Sequence, residues 1–137
     1  MQNIPSVDLR DFLSDDPKRK QKFVNEIGNA FEEIGFVALK GHFLDNQLVE
    51  ELYGEIRNFF SLPLETKHSY EIPGIGGQRG YVSFGKEHAK GRKEGDLKEF
   101  WHFGQYVEKD SKYASEYPEN VEVKELPRFN IAGKQAY

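Results

Sequence analysis

The side chains best suited to chemistry concentrate between residues 79 and 104. Arg79, Tyr81 and Ser83 alternate with Gly80 and Val82, so in an extended strand the three polar side chains share one face. An arginine fork suits a carboxylate gripped at two points. The plainer alternative is a solvated loop arginine beside a core tyrosine. Further along, Phe100 and His102 alternate with Glu99, Trp101 and Phe103, which sends the two sets to opposite faces of a second strand. His102 then either lines a pocket or is a half-buried, hydrogen-bonded histidine without a role. The remaining histidines carry less. His42 follows a turn glycine, His68 belongs to a helix surface, and His88 sits in the mixed-charge run 86–94, which has the composition of a solvated loop. The glycine-rich stretch 74–80 invites a phosphate-binding reading. It fails because it has no Gly-Lys-Ser/Thr ending and does not join a strand to a helix.

Two aromatic, strand-like segments, 80–85 and 96–104, flank a polar loop and outline a long hairpin that lines one wall of a pocket. The elements before it must position it. Residues 4–9 read as a short strand, with Pro5 tolerable near its start. Asp16-Pro17 opens a helix, since Asp16 can cap free N–H groups and proline suits the first helical position. Its apolar stripe is Phe23, Ile27, Ala30, Phe31 and Ile34, and Gly35 ends it. Residues 36–40, nearly all apolar, predict a strand covered on both faces. Asp45 caps a second helix with the stripe Leu48, Val49, Leu52, Tyr53, Ile56, Phe59 and Phe60. After Ser61-Leu62-Pro63 breaks it, a further helical turn places Glu65 and Lys67 on the surface. Residues 108–128, polar and interrupted by Pro118 and Pro127, suggest a surface connection, and 129–137 an element cut short. The order of elements gives an α+β fold over 1–137, read as a single region whose strands need a further sheet or barrel.

Composition agrees with an incomplete domain. A hydrophobic content of 37% is low, while 14% aromatic residues argue against disorder. Nineteen basic and twenty-three acidic residues give a net charge of −4, unsuited to general nucleic-acid binding. With no cysteine there is neither a disulfide framework nor a thiolate metal site. The first residues do not form a signal peptide, and no apolar run approaches the ~20 residues that span a bilayer, so a cytoplasmic protein without membrane partners is expected.

Several strings resemble the N-terminal region of the isopenicillin N synthase-like family of non-haem iron(II), 2-oxoglutarate-dependent oxygenases. They are Ile4-Pro5-Ser6-Val7-Asp8-Leu9, Glu33-Ile34-Gly35-Phe36-Val37, Gly41-His42, Gly80-Tyr81 and Lys98-Glu99-Phe100. The most specific is Phe59-Phe60-Ser61-Leu62-Pro63-Leu64-Glu65-Thr66-Lys67. The resemblance implies helices and strands that complete a double-stranded β-helix, or jelly roll, whose barrel is mostly absent here. It also implies iron(II) and 2-oxoglutarate as cofactors of the parent enzyme, O₂ chemistry on a small-molecule substrate, and substrate contacts from Arg79, Tyr81, Ser83, Phe100 and His102.

In that family iron is held by a His-x-Asp pair and a distant His, with 2-oxoglutarate gripped by Arg-x-Ser. Here the histidines continue as His42-Phe43-Leu44, His68-Ser69-Tyr70, His88-Ala89-Lys90 and His102-Phe103-Gly104, so none has a carboxylate two residues on. The cofactor ligands, and any catalytic residue, are therefore expected in a missing C-terminal barrel half, and this chain alone is expected to be inactive. The alternative is a standalone α+β module that binds a ligand or partner through the hairpin face without catalysis.

Overall fold

The computed structural model describes residues 3–88, 91 and 95–137. It divides into two compact units, Met1–Leu44 and Asp45–Tyr137. In the first unit, strand β1 (Ser6–Asp8) is shorter than the sequence suggests, because Asp8 doubles as a helix cap. Its carboxylate accepts from the Arg10 N–H at 3.0 Å, and Leu9 opens a short helix α1 (Leu9–Phe12) instead of ending the strand. Helix α2 (Pro17–Glu33) begins as its sequence dictates, with Asp16 accepting from Lys18 N–H and Pro17 in the first turn. It ends at Gly35, whose φ of +79° suits glycine and whose N–H bonds Ala30 O.

Strand β2 (Ala38–Lys40) pairs in parallel with β1, Val7 opposite Leu39. The expected two-sided cover of 36–40 is not found: Phe36 is 68% exposed and all of β2 is open to solvent. Cover on both faces needs a layer on each side, and this sheet has two strands. The unit buries Val7, Phe23 and Ala30, with Phe12 tilted against Phe23 at 5.5 Å, while Phe31 of the predicted stripe stays exposed.

The second unit is built on helix α3 (Asn46–Phe60), capped by Asp45 through the N–H groups of Gln47 and Leu48. A short helix α4 (Leu64–His68) follows the Pro63 break. Strands β3 (Gly80–Val82) and β4 (Phe100–His102) form an antiparallel pair, as the hairpin reading requires. Helix α5 (Pro127–Ala136), opened by Pro127, packs on α3. The core centres on Phe59, fully buried at the end of α3's stripe. It stacks on Phe129 at 5.2 Å and meets Trp101 edge-on at 4.7 Å.

The stretch 108–128 is more than a surface connection. Val123 is 0% exposed, and Asn130 takes both its N–H and its C=O with one side-chain amide, at 2.8 and 3.0 Å. Asn120 does the same for Gly104, at 2.8 Å each. The architecture is α+β with two two-stranded sheets, and the described residues contain no closed barrel.

Candidate functional site

Register decides which candidates meet. Gly80 opposes His102, Tyr81 opposes Trp101 and Val82 opposes Phe100. Directly opposed residues of an antiparallel pair share a face. Tyr81, Glu99 and Trp101 therefore look into the core, while Val82, Phe100 and His102 look the other way. The five candidates divide between two faces of one hairpin.

The core face is an electrostatic lock. Lys67 Nζ lies 2.7 Å from Glu99 Oε2 and 3.2 Å from the Phe60 carbonyl, and it sits 5.6 Å from the centre of the Tyr81 ring. The Tyr81 hydroxyl donates to the same Glu99 oxygen at 2.5 Å. Burial pushes the Tyr81 hydroxyl's pKa up, and the Glu99 hydrogen bond adds to the rise, so the phenol stays protonated. Burial also works to raise the Glu99 carboxyl. The hydrogen bonds from Lys67 and Tyr81 outweigh it and hold the group below its ordinary value. Lys67 is 7% exposed, which overturns its reading as a surface residue of a helical turn. A signal existed: Lys67 and Glu99 are opposite charges in two of the strings that carried the family resemblance.

Arg79 is 8% exposed, with its guanidinium laid against Gly104, where any Cβ would overlap it. Its Nη1 donates to Gln78 O at 2.6 Å, its buried Nε has no acceptor, and among the described residues no carboxylate pairs with it. Ser83 is buried too. Its N–H donates to Glu71 Oε1 at 3.1 Å. Burial works to raise the Glu71 carboxyl, but hydrogen bonds from Ser83, with Lys86 and His68 nearby, prevail and lower it.

The opposite face opens on a cleft of about 350 Å³, lined among others by Glu71, Gly76, Gly77, Tyr81, Val82 and Phe100, while His102 lies exposed outside that lining. Phe100 lies 4.7 Å from the His102 ring, and His102 Nδ1 is 2.6 Å from Gly77 O. Gly77 itself packs so closely on Val82 that a Cβ would fall 2.8 Å from Val82 Cγ2. The glycine-rich loop is thus pinned at both ends of the β3–β4 pair. A larger hollow of about 510 Å³ beside Tyr106, Tyr117 and Ile131 contains none of the candidates. His42 and His68 stay in a turn and at a helix end, and part of the charged run, residues 89, 90 and 92–94, lies outside the described residues. Among the described residues no three His, Asp or Glu side chains cluster closely enough to hold a metal ion, so these residues do not fit an iron site.

A family model described as the non-haem dioxygenase in morphine synthesis N-terminal region matches residues 4–125. The chain belongs to that family. It is an N-terminal region of the non-haem iron, 2-oxoglutarate oxygenase type. This dioxygenase N-terminal region is 34% identical over 85 residues to the 2-oxoglutarate-dependent dioxygenase imqE of Aspergillus flavus, covering 61% of the chain and 23% of the relative. It superposes over its whole length on 43% of a 2OG-Fe(II) oxygenase family protein from Caulobacter crescentus, with TM-score 0.78 and 34% identity. It also matches a full-length Neurospora crassa protein solved in complex with alpha-KG, with TM-score 0.51 and 30% identity over 58% of the chain and 26% of that protein. The dioxygenase N-terminal region therefore spans about a quarter of the imqE relative and under half of the Caulobacter protein.

Proposed function

We propose that this chain is the substrate-pocket-forming N-terminal part of an iron(II)- and 2-oxoglutarate-dependent oxygenase that oxidises a small molecule with O₂ in the cytoplasm. The observation that carries the reading is the β3–β4 pair. Its core face is locked by Lys67, Glu99 and Tyr81, leaving Phe100 to line an open cleft, with His102 exposed on the same face against the Gly77 carbonyl. In this reading the family's jelly roll follows in the rest of the polypeptide and supplies the ligands for iron and 2-oxoglutarate. When bound, those cofactors supply the oxidising chemistry.

The present residues bind and orient. Phe100 and His102 form the wall that excludes water, with Ser83 and Tyr81 supporting it from β3. Arg79 supplies a cation for a substrate carboxylate, a role supported by its buried Nε, which has no acceptor among the described residues. Reading the coding frame past codon 137 tests the proposal. A continuing frame with His-x-Asp, a later His and Arg-x-Ser supports the oxygenase, and a genuine stop codon there favours the standalone binding module.

A further inference from the structure

We infer that Glu71 is the anchoring carboxylate of the cleft beside β3, where it selects small ligands that carry an ammonium on an apolar body. The inference rests on the reading of this cleft as part of a substrate wall. It goes beyond that reading by naming the ligand chemistry and the residue that meets it. Glu71 lines the cleft directly. Its side chain is 24% exposed, and its two oxygens are treated differently by the fold. Oε1 accepts from the Ser83 N–H at 3.1 Å and has His68 Nδ1 at 3.4 Å. Oε2 accepts no hydrogen bond among the described residues, and the cation paired with it, Lys86 Nζ, stands off at 3.7 Å.

The carboxylate is held through its backbone as well as its tip. Glu71 bridges Gly80 in an isolated antiparallel pairing, and the Tyr81 N–H bonds Tyr70 O at 3.1 Å. With Oε1 engaged by Ser83, Oε2 is the oxygen left for a ligand donor. The lowered pKa of the group keeps it ionised at neutral pH. Ile72, Pro73, Val82 and Phe100 give the cleft apolar walls for a ligand body. Its other carboxylate, Glu87, is already paired with Lys98 at 2.8 Å. Lys86 Nζ marks where an ammonium approaches Oε2, but its side chain is 62% exposed, so water screens the contact. A ligand ammonium that also fills the apolar walls displaces it. A ligand carboxylate instead meets the fixed like charge of Glu71.

Titration of the 137-residue chain with benzylammonium and, separately, benzoate tests this, followed by the amide ¹H–¹⁵N shifts of Gly76, Gly77 and Val82. Benzylammonium should bind, and benzoate should bind at least about tenfold more weakly. Glu71→Gln keeps an oxygen for the Ser83 N–H and should weaken benzylammonium about tenfold, the loss of one charge-assisted contact. Lys86→Met removes the competing ammonium at an exposed position and should tighten benzylammonium severalfold, a gain that a purely structural Glu71 would not produce. It decides the matter even where Glu71→Gln destabilises the fold. No benzylammonium binding, benzoate binding as tightly, equal binding by Glu71→Gln, or no gain with Lys86→Met overturns the inference. None of these readouts needs turnover, so a failure here is distinguishable from failure of the oxygenase reading, which the downstream frame decides.

Discussion

Lys67 and Glu99, thirty-two residues apart, meet at 2.7 Å and join helix α4 to the start of strand β4. Their side chains are only 8% and 18% exposed, so each charge depends on the other for what water would otherwise supply. Removing one partner strands the other. Glu99→Ala or Lys67→Ala should each lower stability by about 3–5 kcal/mol in urea unfolding. The pair Lys67→Met with Glu99→Gln should cost less than the sum of its two single changes, because no charge is left unpaired. Additive effects would show that the pair does not couple α4 to the hairpin.

The same carboxylate sets an acid limit. Its folded pKa is held below the ordinary value of 4.5, so the unfolded state takes up a proton first as pH falls. The stabilisation from Glu99 is fully present above pH 4.5 and is lost as pH drops through the lower folded value. Glu71, lowered in the same sense, contributes over the same range. Unfolding midpoints measured from pH 7 to pH 3 should fall in the acid limb for the wild type and fall less steeply for Glu99→Gln. An unchanged slope in the variant would remove Glu99 from the acid response.

Gly104 leaves room for a guanidinium. Gly104→Ala should destabilise the chain by about 1–3 kcal/mol, since the added methyl overlaps the buried Arg79 head. Arg79→Ala in the same chain should recover part of the loss, a rescue visible in thermal melts. If the double variant is no more stable than Gly104→Ala, the overlap is not the cause.

If the proposed parent oxygenase is right, Arg79→Ala in it should raise the Michaelis constant for the prime substrate at least about tenfold while changing that for 2-oxoglutarate little, as loss of one charge-assisted contact requires. Steady-state kinetics with each substrate varied in turn makes the comparison. Equal effects on both constants would remove Arg79 from substrate recognition.

The two long helices were legible because their signals are local. Asp16-Pro17 and Asp45 carry capping chemistry, and stripes at three- and four-residue spacing include Phe23 and Phe59, both buried. The hairpin was legible from its aromatic segments, and alternation correctly separated Phe100 and His102 from Trp101. What alternation within each strand cannot supply is the register between strands, and that is what sends Arg79 and Tyr81 away from the His102 face. Helix α1 was hidden because its start is a single Asp8 carboxylate turned onto Arg10. Lys67 read as solvated since the carboxylate that buries it lies far along the chain. The roles of Asn120 and Asn130 are likewise set by backbone groups brought near only by folding.

Asn120 grips Gly104 from both sides with a single amide, as a neighbouring strand residue would. The excursion from Gln105 to Glu119 therefore leaves and rejoins the fold at one stapled point, and its length is decoupled from the hairpin it departs from. Insertions or deletions within that excursion can reshape the molecule's rim while the wall bearing Phe100 and His102 keeps its geometry.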